Sequence, residues 1–197
     1  MAANAAPREQ LMTERVRYTI DARASRFTVQ AFAGGFAAMM AHSPKFGIRE
    51  FEGQAEFAPD SLADASLRFS VKPASLDLLD DVSAKDRTEI MRVASEEVLE
   101  TGRFAEIVFE STEVAPARVA NNLYRVVVTG DLTLHGDTNT QSLQAQVMIA
   151  GDTLRANGEF TLKQTAYGIK LVSVAGGMVK VKDDLKFTFD IVARKQA

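Results

Sequence analysis

Cysteine and tryptophan are both missing from the 197 residues, and histidine occurs only twice, as His42 and His135. Without cysteine there is no disulfide, thiolate nucleophile, iron–sulfur cluster or cysteine-ligated zinc. The two histidines form no His-x-His or His-x-x-x-His pair, so the spacing offers no metal ligand set and no metal is expected. No Gly-x-Ser-x-Gly elbow is present, and Gly34-Gly35 and Gly176-Gly177 lack the lysine and helix of a phosphate loop. No cofactor is expected either. Long blocks of like charge are also absent, and the net charge of -3 with a pI near 5.5 argues against a nucleic-acid partner. No stretch approaches the roughly 20 apolar residues of a membrane span. In the opening "MAANAAPREQLMTERVRYTID", Arg8, Glu9, Glu14, Arg15 and Arg17 break up any run of signal-peptide type. The expectation is a cytoplasmic protein with no integral membrane segment, or a periplasmic one if a leader is missing.

What is present is alternation. The apolar content of 46% and charged content of 25% suit one globular domain with a full core, expected over residues 16–197 behind an Ala-rich flexible arm at 1–15. Phe27, Val29 and Ala31 share one face, with Arg26, Thr28 and Gln30 on the other. Leu67, Phe69 and Val71 alternate with Ser66, Arg68, Ser70 and Lys72, and Ile107 and Phe109 stand between Glu106, Val108 and Glu110. The same period runs through Tyr124, Val126, Val128, Gly130, Leu132 and Leu134, then Leu143, Ala145, Val147 and Ile149. Leu185, Phe187, Phe189 and Ile191 repeat it near the C-terminus. One apolar and one wetted face, many times over, predicts antiparallel sheet.

One segment has a different period. In Ser83 to Thr101, Ile90, Ala94 and Val98 recur every four residues beside Met91 and Leu99, which predicts a single amphipathic helix stopped by Gly102. Many strands around one helix predict an all-β fold, an antiparallel barrel of about eight strands. Closure suits the long C-terminal strands because it removes exposed edges. Ala31, Ala55, Ala65, Ala145 and Ala156 fall at inward positions, which fits either an open lumen or a packed, tapering interior.

His135 sits in "LTLHGDTNTQSL", two alternating strands around a turn expected at Gly136-Asp137, with the histidine on the wetted side. His42, in "MMAHSPKFG", precedes a Ser43-Pro44 turn and reads as a loop residue. The pairs Asp80-Asp81 and Asp183-Asp184 read as solvated turn residues, and Met39 and Met40 as core filler. Nothing assembles into an active site.

Several stretches resemble the YceI-like family of lipocalin-like, polyisoprenoid-binding bacterial proteins. They are "YTIDARASRFTVQAFAGG", "AHSPKFGIREFEGQAEFAP", "VLETGRFAEIVFES" and the closing "LKQTAYGIKLVSVAGGMVKVKDDLKFTFDIVA". The most diagnostic is "VVVTGDLTLHGDTNTQSLQAQV", where Gly130, Leu132, Thr133, His135 and Gly136 match the family's Gly-x-Leu-Thr-x-His-Gly hairpin. The resemblance covers about residues 16 to 193. It implies a lipocalin-like barrel that binds a long isoprenoid or similar fatty amphiphile in its lumen without catalysis. It also implies a homodimer, since similar proteins are commonly dimeric.

The lining expected for such a lumen is Phe27, Val29, Phe69, Phe109, Val128, Leu132, Phe160 and Phe187, with His42 and Tyr167 at the mouth. Two other readings compete with the carrier. One is an enzyme acting on a small or lipid-like substrate with His42 or His135 as general acid or base, which needs a carboxylate neighbour and a cleft open to solvent. The other is a structural or regulatory module whose barrel is filled.

Overall fold

The alternating segments form strands because each can bury one face only by pairing with neighbours that bury the same face. A computed structural model describes residues 15–34, 43–59, 61–62, 64–174 and 179–196. His42, Gly35, Met39, Met40, Gly176 and Gly177 lie outside the described residues, as does the expected N-terminal arm apart from Arg15.

Twelve strands are present among the described residues: β1 Val16–Ile20, β2 Arg26–Gly34, β3 Lys45–Ile48, β4 Phe51–Phe57, β5 Ser66–Val71, β6 Leu76–Leu78, β7 Ile107–Ala120, β8 Leu123–Leu134, β9 Asp137–Ala150, β10 Thr153–Lys163, β11 Ser173–Val174 and β12 Val179–Lys195. All pairings are antiparallel. The order β1-β4-β5-β7-β8-β9-β10-β12 closes on itself because β12 also pairs β1, making an eight-stranded barrel. The remaining strands extend this ring. β1 and β2 run one after the other along the same edge of β12, with Ile20 opposite Ala193 and Arg26 opposite Asp190. In the same way β3 precedes β4, and β6 follows β5, so three barrel strands each break in two. Serines hold the breaks. Ser25 Oγ donates to the Asp21 carbonyl at 2.7 Å and accepts from Val192 N–H at 2.9 Å, while Ser75 Oγ accepts from Glu50 N–H at 2.8 Å.

β6 pairs only β3, and β7 pairs β5 only through Ile107–Glu110, so the wall is open between β6 and β7. Helix α1, Ala84–Arg92, fills that gap and continues as one wider, π-type turn, Val93–Val98. Its Ile90, Met91 and Ala94 pack on the cluster of Val29, Phe46 and Leu78. Arg87 secures it by donating to the carbonyls of Leu78 (2.6 Å) and Asp80 (2.7 Å) at the unpaired edge. Ser83 is the N-cap, its Oγ accepting from Asp86 N–H at 3.1 Å. Among the described residues no helix is long and apolar enough to cross a membrane.

Three local expectations need correction. The helix ends before Gly102: Glu100 (φ 44°) takes the left-handed position, because the π turn uses up one extra residue. The β8–β9 turn is centred one residue earlier than expected, on His135 (φ 55°) and Gly136 (φ 85°), with Asp137 already in β9. Two consecutive positive φ values define a type I′ turn, and histidine tolerates that region better than most residues. Asp80 and Asp183 are braces rather than solvated turn residues. Asp80 accepts from Lys45 N–H at 2.7 Å, and Asp183 accepts from Thr165 N–H and Oγ at 2.8 and 2.7 Å.

Candidate functional site

The inward faces do not meet. Inside the barrel lies a cavity of about 610 Å³, within the range typical of small-molecule sites. All eight residues expected as the lining do line it: Phe27, Val29, Phe69, Phe109, Val128, Leu132, Phe160 and Phe187. Five phenylalanines of the lining pack ring against ring. Phe160 stacks on Phe187 (centroids 4.8 Å apart, planes 7° from parallel), and Phe27 meets Phe69 edge-on at 5.3 Å. Phe189 joins them at 6.5 Å from Phe160, and Phe51, not itself part of the lining, packs on Phe27 at 6.2 Å. Ala31, Ala55, Ala65, Ala145 and Ala156 also line the space, so the small inward residues belong to an open lumen.

One wall is helical. Ile90, Ala94 and Val98, the four-residue stripe, face the cavity together with Val93 and Leu99. The sequence pattern marks the stripe as the apolar face of an amphipathic helix without connecting it to the lumen. The polar lining was also missed, although the period carries it: Gln164 continues the inward positions Phe160 and Leu162, and Gln141 precedes Leu143 and Ala145. Tyr18 lies one inward step from Ile20, and its hydroxyl donates to the Gly151 carbonyl at 2.9 Å. Burial first, and Asp152 second, push the Tyr18 hydroxyl above its ordinary pKa.

The carboxylates at the rim are already engaged. Asp86 takes a hydrogen bond from Ser83 Oγ (2.7 Å), and Arg92 binds Glu89 in a fork at 3.1 and 2.8 Å. That hydrogen bond holds the Glu89 carboxyl below its ordinary range. Among the described residues no lysine, arginine or histidine lines the cavity.

Of the two residues expected at the mouth, His42 lies outside the described residues and Tyr167 falls elsewhere. Tyr167, only 2% exposed, belongs to the main core cluster and does not line the cavity; burial raises the pKa of its hydroxyl. His135 is not on the wetted face. Its side chain is 13% exposed, lies against Phe104 with centroids 4.4 Å apart, and does not line the cavity. Its Nε2 comes to 3.3 Å from Glu100 Oε1, close enough for an ion pair if the ring is protonated, but the alignment makes no hydrogen bond. This contact ties the β8–β9 turn to the end of the helical wall. Among the described residues no group of three or more histidines and carboxylates is placed to hold a metal.

Comparison with known proteins places this geometry. The family model of the YceI-like domain matches residues 18–193. A UPF0312 protein of Photorhabdus laumondii is 29% identical over 167 residues, covering 84% of this chain and 75% of that protein. A UPF0312 protein of Vibrio parahaemolyticus is 30% identical over 102 residues, 52% of this chain, and the match spans about half (49%) of the relative. Among solved structures, BcnA of Burkholderia cenocepacia superposes with a TM-score of 0.67 at 22% identity, covering 88% of this chain and 98% of BcnA. A polyisoprenoid binding domain from Saccharophagus degradans gives a TM-score of 0.61 at 13% identity, covering 91% and 98%. At these identities the structural likeness establishes the fold.

Proposed function

The chain belongs to the YceI-like family, and from that premise we propose that its barrel carries a long-chain isoprenoid or a similar amphiphilic lipid without reacting with it. The observation that carries this reading is the 610 Å³ cavity, walled almost wholly by aliphatic and aromatic side chains. Each methylene group moved from water into such a lining is worth about 0.8 kcal/mol, so a long tail binds well with few polar contacts. The Saccharophagus domain, described as polyisoprenoid binding, has the same fold and supports the same class of ligand. His135 and Glu100 supply an acid–base pair, but outside the lumen, where a tail in the barrel is out of reach.

Organic-solvent extraction of the purified protein followed by mass spectrometry tests the reading. A co-purifying lipid at near-stoichiometric amount is expected. A barrel that is empty from several expression hosts, and that takes up no isoprenoid after purification, would overturn it.

A further inference from the structure

Gln164 is the odd residue of the lumen. It opens the 3-10 turn Gln164–Tyr167 after β10, and although polar it is only 3% exposed and lines the cavity. Half of its amide has a structural explanation. The β12–β2 pairing is irregular between Val181 and Leu185, which leaves the Lys182 carbonyl without a ladder partner, and Gln164 Nε2 donates to it at 2.9 Å. Because a carbonyl can only accept, this bond fixes which end of the amide is nitrogen. The other half has none. Among the described residues no other hydrogen bond is made by this amide, and since Gln164 lines the cavity its free edge, Oε1 and the second N–H, borders the open lumen. An amide edge turned toward an otherwise apolar lumen is short of partners there, and leucine or methionine would fill the same place without any polar atom.

We propose that Gln164 is the polar anchor of the lumen, that its free amide edge hydrogen-bonds an uncharged hydroxyl or carbonyl head group, and that the barrel therefore selects neutral amphiphiles over phosphate-headed ones. The inference rests on the lipid-carrier reading above. The oxygen accepts from a hydroxyl and the remaining N–H donates to a carbonyl or hydroxyl oxygen, so both alcohols and ketones of this kind are satisfied. Among the described residues an anionic head finds no such partner. Among the described residues the ionisable ones lining the cavity are Tyr18, Asp86 and Glu89, none of them cationic, and burying a charge without a counter-ion is far more costly than burying a hydroxyl. Lys163 precedes Gln164 along the chain and Lys182 lies beside it through the carbonyl contact, but both side chains are exposed, opposite in parity to the inward residues.

Delipidated full-length protein is titrated with geranylgeraniol, with the corresponding hydrocarbon lacking the hydroxyl, and with geranylgeranyl diphosphate, each displacing Nile red from the barrel. The alcohol is expected to bind about tenfold more tightly than the hydrocarbon, as one well-made hydrogen bond in an apolar site allows, and more tightly still than the diphosphate. Gln164→Met should erase the gap between alcohol and hydrocarbon while leaving hydrocarbon affinity within about twofold, an effect that a brace for the Lys182 carbonyl alone would not produce. If Gln164→Met does not fold, the wild-type ranking still decides. Equal binding of alcohol and hydrocarbon, or tightest binding of the diphosphate, overturns the assignment of Gln164 and leaves the carrier reading intact. Failure of all three to displace the dye overturns the carrier reading itself.

Discussion

Two adjacent residues in the β8–β9 turn show what one position can decide. Gly136 has φ 85°, and a Cβ built there would come within 2.8 Å of Phe104 Cε1, so a β-branched side chain meets both backbone strain and a ring. Gly136→Val should cost about 1–3 kcal/mol in thermal or denaturant unfolding. His135 has φ 55° and makes its main contact with Phe104. Asparagine followed by glycine is the preferred type I′ pair, so His135→Asn exchanges a ring contact for a better turn and should change stability by no more than about 0.5 kcal/mol. Neither variant should alter the lipid recovered, because neither residue lines the lumen. A barrel emptied by His135→Asn would show that the histidine reaches the ligand. The sequence motif revealed a turn at this place but shifted it by one residue, since a histidine with positive φ is uncommon enough that the glycine and aspartate looked like the natural centre.

At the scale of elements, strands were read correctly wherever period-two alternation was long. β8 is the clearest case: Tyr124, Val126, Val128, Gly130, Leu132 and Leu134 are all buried. The end of the helix was not, because a π turn and a glutamate in the left-handed region leave no compositional trace. Register gives a direct test on β12. Phe187 stacks in the lumen while its neighbour Lys186 pairs with Glu159 at 2.8 Å on the outside. Phe187→Asp should therefore cost about 3 kcal/mol or more by placing an unpaired carboxylate among phenylalanines. Lys186→Asp should cost about 1 kcal/mol or less, the loss of one exposed ion pair plus some repulsion from Glu159. Similar losses from both would mean that the register is wrong.

The join between β10 and β12 carries a pH dependence. Asp183 accepts from the backbone and hydroxyl of Thr165, and these hydrogen bonds hold its carboxyl below the ordinary range. A depressed folded-state pKa contributes stability that is complete above the unfolded value of about 3.9 and is lost as pH falls through the folded value. Asp183→Asn should accordingly lower Tm at neutral pH and converge with the wild type in strong acid, near pH 2. A constant difference in Tm at all pH values would show that the carboxylate is not what secures the Gln164–Tyr167 turn.

For the whole molecule, the open question in the sequence was volume. Alternation orders the inward residues, seven of the eight expected lining side chains among them, but it does not say whether their volumes fill the ring. Ala31, Ala55, Ala65, Ala145 and Ala156 could have served either outcome until the strands were placed around a cavity of about 610 Å³. Their meaning can be tested by adding mass. Ala156 lines the lumen between Val147 of β9 and Ile191 of β12, its partners in register. In a packed interior, Ala156→Leu would force neighbours off their rotamers at about 1–3 kcal/mol, a drop of several degrees in Tm for a domain of this size. In an open lumen the new isobutyl group enters empty space and buries apolar surface, so the Tm of delipidated protein should stay level or rise. The same group takes volume from the guest. Recovered lipid and the affinity for Nile red should both fall in Ala156→Leu, and further in the double variant with Ala145→Leu. Falling stability with lipid content unchanged would mean that the barrel is filled in solution and that the ligand, if any, binds elsewhere.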